Sequence, residues 1–147
     1  MRNPSVEVQD HLRKLSIICF AILMGVLIFG GVVWYLLKSG TFSPLEDLPP
    51  YFATLFNLVA LVAILKAHFL PRFFQRPPQA AEAPKEAWLA WHHKTTIVGF
   101  ALREGAAFVA LVGVLLTGQQ TAGFALAALA GLSMIMAWPR AEQLPGV

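Results

Sequence analysis

Charge is scarce in this chain: 11 Lys and Arg and 8 Asp and Glu among 147 residues, or 13%. A soluble domain carries about 25%. Cysteine is scarcer still. Cys19 is the single one, which excludes an intrachain disulfide and a thiolate metal cluster. Short alternating apolar and polar runs are missing, which excludes a transmembrane β-barrel. There is no Ser-His-Asp pattern, no phosphate loop, no paired intramembrane aspartates and no metalloprotease helix motif. Nothing in the sequence therefore points to catalysis.

What remains is apolar. Hydrophobic residues make up 57% of the chain and lie in four runs of membrane-spanning length. We expect an all-α membrane protein of four transmembrane helices, arranged as two tandem hairpins. Residues 1–14 form a polar segment, and 15–70 the first hairpin, with spans Leu15–Leu37 and Tyr51–Leu70. Pro44, Pro49 and Pro50 interrupt the connection between them, and Pro71 ends the second span. Residues 71–94 form a basic loop and an interfacial helix start near Lys85, just after Pro84. Residues 95–138 form the second hairpin, with spans Thr95–Thr117 and Ala122–Trp138 joined by a turn at Gly118. Residues 139–147 are a tail. The first run is too long for a secretory signal and lacks a nearby cleavage site, so it reads as a retained span.

Basic residues fix the expected orientation. Arg2, Arg13 and Lys14 precede the first span. Lys66, Arg72, Arg76, Lys85 and Lys94 cluster between the second and third, and Arg140 follows the fourth. The other side has only Lys38, beside an acidic Glu46 and Asp47. Both termini are expected in the cytoplasm, in a bacterial inner membrane. Trp34, Trp88, Trp91 and Trp138 all fall at expected interfaces. The net charge of +3 sits beside apolar segments and does not form a nucleic-acid surface.

The halves match internally. With Lys14 aligned to Lys94, Ile17, Phe20, Ala21 and Gly25 meet Ile97, Phe100, Ala101 and Gly105 without a gap. Both windows begin on the same side, so the repeat is parallel. Small residues at four-residue spacing, Gly123, Ala127 and Gly131 in one span and Ala101 and Gly105 in another, are expected to let helices approach closely.

Arg103 and Glu104 stand together in the third span. An ionised group there costs at least ~2.5 kcal/mol on insertion scales, so a partner is expected. The two point about 100° apart around the helix and do not automatically pair. Arg103 is expected to snorkel toward the cytoplasmic face. Lys66 matches Glu104 in depth, each about 20 Å from the outer edge at the helical rise. The expected role is a structural ion pair, with a cation site on Glu104 as the alternative.

The stretch Phe100–Leu116, with Glu104 followed by small and apolar residues, resembles the carboxylate helix of rotary-ATPase proteolipids, the c or K ring subunits. The resemblance implies an ion-carrying carboxylate at Glu104. It covers about twenty residues well. In that family the acid lies on the second helix of a hairpin, whereas here it lies on the first, Met24 replaces it in the other repeat, and Arg103 adjoins it.

His68 and His92 lie near one depth on the second and third spans, a spacing that admits a haem pair. The interfacial role is the more usual one, and no cofactor is otherwise expected. His11, His93 and Lys94 read as surface residues. The expected function is a non-enzymatic accessory or assembly subunit whose partners are the lipid bilayer and other membrane subunits or itself. A cation-translocating protein and a haem- or quinone-binding electron-transfer subunit are the alternatives.

Overall fold

The computed structural model describes residues 4–45, 47–74 and 84–140. Arg2, Glu46, Arg76 and the tail after Arg140 lie outside them, as does the side chain of Arg72. The described chain is helical: α1 (Pro4–Lys38), α2 (Tyr51–Phe74), α3 (Lys85–Thr117) and α4 (Gln120–Met136). Helices α1, α2 and α3 are long and apolar enough to cross a membrane. Helix α4 has 17 residues and reaches about 26 Å at the helical rise.

Three boundaries differ from the sequence expectation. Helix α1 begins at Pro4 and absorbs the polar segment, because Val8 and Leu15 on one face are buried. That packing holds together a turn that composition alone reads as solvated. Helix α2 continues through Pro71 to Phe74. A proline there removes one backbone hydrogen bond in the last turn, where the loss is small. Helix α4 stops at Met136, two residues early. Helix α3 starts directly after Pro84 and ends where Gly118 takes the left-handed conformation at φ 71°, its N–H donating to the Val114 carbonyl at 2.9 Å.

Helix α3 is the centre of the bundle. Half of its most apolar window is buried, against 17% for α1 and 22% for α2. Helices α1, α2 and α4 all pack on it. The contact between α3 and α2 is made of small residues at seven-residue spacing. Ala53, Ala60 and Ala67 are buried on α2, and Gly99, Ala106 and Gly113 on α3. A β-carbon at Gly113 would lie 2.7 Å from that of Phe56. Helix α4 comes as close: a β-carbon at Gly123 would overlap the Val114 side chain and lie 3.0 Å from the Ala110 carbonyl oxygen. The seven-residue period suits helices that cross at a shallow angle and stay in contact along their length.

Helices α1 and α3 run parallel. His11 meets His92, Gly25 meets Glu104, and Gly30 meets Leu111. These pairs are about 80 residues apart, the same offset as the Lys14–Lys94 alignment. The two helix pairs pack differently. Helix α4 packs closely on α3, but α2 scarcely touches α1 and packs on α3 instead. The Ala53–Ala60–Ala67 edge of α2 fits the small-residue edge of α3. The α1–α2 connection crosses the end of α3: the Leu45 N–H donates to the Leu116 carbonyl at 3.0 Å, and Pro44 lies against Gly118.

Candidate functional site

The polar groups of the bundle interior gather on α3. Arg103 is 7% exposed. Its Nε–H donates to Ser133 Oγ on α4 at 3.1 Å, and an Nη–H donates to the Gly99 carbonyl, one turn back, at 2.8 Å. Ser133 spends its own proton on the Ala130 carbonyl at 2.8 Å, which leaves its lone pairs for Arg103. Arg103 therefore does not snorkel outward as expected. The α4 serine holds it inside the bundle. No carboxylate among the described residues forms an ion pair with it.

Glu104 points elsewhere, as the 100° step around a helix requires. It is half-buried between α3 and α1, with Oε1 3.4 Å from where Gly25 would carry a β-carbon. The expected pair with Lys66 is not formed: among the described residues no ion pair joins them. Depth is not the obstacle. Helix α2 is antiparallel to α3 with Phe56 beside Gly113, so ten residues further on Lys66 is level with Arg103. Rotation is. Ala67 turns inward at 1% exposure, and its neighbour Lys66 is left on the exposed side of α2.

A cavity of about 570 Å³ lies where α2, α3 and α4 diverge. Ala67 and His68 line it from α2, residues from Trp91 to Arg103 from α3, Ser133 and Met136 from α4, and Ala137 from just beyond its end. Thr95 and Thr96 add hydroxyls to its wall, and Thr95 Oγ1 donates to the Trp91 carbonyl at 2.8 Å. Both candidate haem ligands reach this wall but in different settings. His92 is buried at 3% exposure and packs against His11, with ring centroids 5.8 Å apart. His68 is exposed and meets Phe69 edge-on. A haem pair needs both rings facing one apolar cavity; both line this one, His92 from a buried position and His68 from an exposed one. No group of three His, Cys, Asp or Glu among the described residues is placed to hold a metal ion.

His11 and His93 are not surface residues, contrary to the sequence reading. Both are half-buried, their rings 5.7 Å apart, and with His92 they form a three-ring cluster at one end of the α1–α3 contact. Burial holds the His11 pKa below its ordinary value, and the neighbouring His92, His93 and Lys14 add to the effect. The His11 Nε2 is buried without a hydrogen bond among the described residues. Lys94 is exposed.

Of the small residues singled out for packing, Gly123 and Ala127 face the bundle, and a β-carbon at Gly131 would lie 4.0 Å from Leu23 on α1. Ala101 and Gly105 do not join them. Both are exposed, and a β-carbon at Gly105 would meet nothing within 4 Å. They lie on the side of α3 that its three neighbours leave uncovered. One residue that matters escaped the sequence reading: Ser133, legible as the lone polar side chain between Ala122 and Met136. Gly25 was singled out in the sequence, but its contact with Glu104 was not.

Comparison with protein-family profiles, with characterised proteins and with solved structures gave no match.

Proposed function

We propose that the chain is an integral membrane protein of four spanning helices with both termini in the cytoplasm, at a bacterial inner membrane. It serves as a non-enzymatic accessory subunit. Another membrane helix, from a larger complex or from a second copy, docks on the open side of α3. The supporting observation is the uncovered stretch at Ala101 and Gly105 on the helix that organises the bundle. A backbone bare of side chains lets a helix approach closely, and in lipid such packing is what drives association. Purification in mild detergent tests the reading. The wild-type chain should retain a partner or a second copy, and Gly105→Leu should lose it while the chain stays folded. Equal retention by both would count against the proposal.

A second reading makes Glu104 a cation or proton carrier, in keeping with the proteolipid resemblance. The observation in its favour is that Glu104 has no ion pair among the described residues. Under this reading Glu104→Gln keeps the assembly intact and abolishes cation-dependent flux in vesicles. Under the accessory reading flux is absent from both proteins.

A further inference from the structure

Arg103 is the most deeply buried charge among the described side chains. A guanidinium stays protonated and offers five N–H donors. Two are used, both on neutral oxygens. A buried cation without a counter-charge is strongly unfavourable unless something supplies one. The nearest acid in sequence, Glu104, is turned toward Gly25 on the α1 side, and Lys66 is exposed. The remaining donors belong to a residue that forms part of a cavity wall. The rest of that wall is amphipathic: His92, Thr95, Thr96 and Ser133 are polar, whereas Phe100 and Met136 are apolar. The volume falls within the range of small-molecule sites, roughly 300–1,000 Å³. Helices α2 and α4 touch only lightly, so the cleft is not sealed between them.

We propose that this cavity binds an amphipathic oxyanion. A carboxylate or phosphate oxygen accepts the spare Arg103 N–H groups and supplies the missing charge, and the attached acyl chain lies along Phe100 and Met136. Two sources share this chemistry: a free fatty acid and the headgroup phosphate of an anionic phospholipid. The site is independent of the open face of α3, so it stands or falls separately from the accessory role.

Trp91 lines the cavity and reports on it. The full-length protein in detergent is titrated with a brominated fatty acid, with the alcohol of the same brominated chain, and with phosphatidylglycerol carrying brominated chains, while tryptophan emission is followed. At least one acidic probe should quench saturably, at a concentration about tenfold or more below that of the alcohol, as a charge-assisted pair implies. The acidic probe that saturates identifies the source. Arg103→Gln should bring the acidic probes to the level of the alcohol. Thr96→Phe keeps Arg103 and its two bonds but fills the cavity, and should remove the saturable component. If Arg103→Gln does not fold, Thr96→Phe and the wild-type comparison of acid with alcohol decide. Equal quenching by the alcohol and both acids overturns the proposal, and so does saturable quenching that survives Thr96→Phe.

Discussion

The Glu104 carboxylate of α3 rests against Gly25 of α1, its Oε1 3.4 Å from the position a β-carbon would occupy. A methyl group fits at that distance, and a branched side chain does not. Gly25→Ala should therefore cost less than about 1 kcal/mol, and Gly25→Leu about 1–3 kcal/mol, the usual range for overpacking. Thermal unfolding of the two variants in the same detergent checks the order. Equal stability of both would mean that α1 does not approach α3 at this level.

Lys66 and Glu104 share a depth but not a face, so they should behave independently. Lys66→Met should change stability by no more than about 0.5 kcal/mol, as for an exposed site. It should not rescue any loss caused by Glu104→Gln. A double-mutant cycle with a coupling energy near zero is the expected result. Coupling above about 1 kcal/mol would restore the ion pair that the sequence suggested.

Gly113 and Gly105 lie on the same helix and should respond oppositely. At Gly113 a methyl group would come 2.7 Å from the Phe56 β-carbon, so Gly113→Ala should destabilise by about 1–3 kcal/mol. At Gly105 nothing is near, and Gly105→Ala should be neutral or stabilising by up to about 1 kcal/mol through helix propensity. Denaturation of the isolated protein distinguishes the two.

The histidine cluster gives a pH dependence with a defined sign. The folded-state pKa of His11 lies below its ordinary 6.5, because burial and the neighbouring His92, His93 and Lys14 disfavour the charged ring. Between that lowered value and 6.5 the unfolded chain binds more protons than the folded one, so stability rises with pH. The protein should keep its full stability above pH 6.5 and lose part of it on acidification. His11→Phe, which keeps a ring without the charge, should flatten the profile. A midpoint that rises as pH falls from 7 to 5 would contradict this packing.

Depth was legible in this sequence, and rotation was not. Runs of apolar residues, bounded by Pro44, Pro49, Pro50, Pro84 and Gly118, mark helices of which three are long and apolar enough to cross a membrane. Those boundaries put Lys66 level with the α3 charges. Which way Lys66 turns depends on Ala53, Ala60 and Ala67 winning the contact with α3. Small residues carry too little hydrophobic signal to show this in advance. The same gap explains the His11 reading, since an interfacial histidine and one packed between helices look alike in sequence. The Arg103 bond to Ser133 joins residues 30 apart and needed the α3–α4 register, which Gly123 sets through its approach to Val114. The matched windows of the first and third runs lie on helices that pack side by side in parallel, whereas α2 packs on α3 and scarcely on α1.

The most direct test of the central claim, a partner helix on the open side of α3, is site-specific photocrosslinking in intact membranes. A photoreactive side chain is placed at Gly105, at Leu132 on the exposed side of α4, and at Ala110 in the buried contact. A partner helix on this face gives a discrete protein adduct from position 105, lipid adducts alone from 132, and crosslinks within the chain from 110. Lipid adducts alone from position 105, matching those from 132, would contradict it.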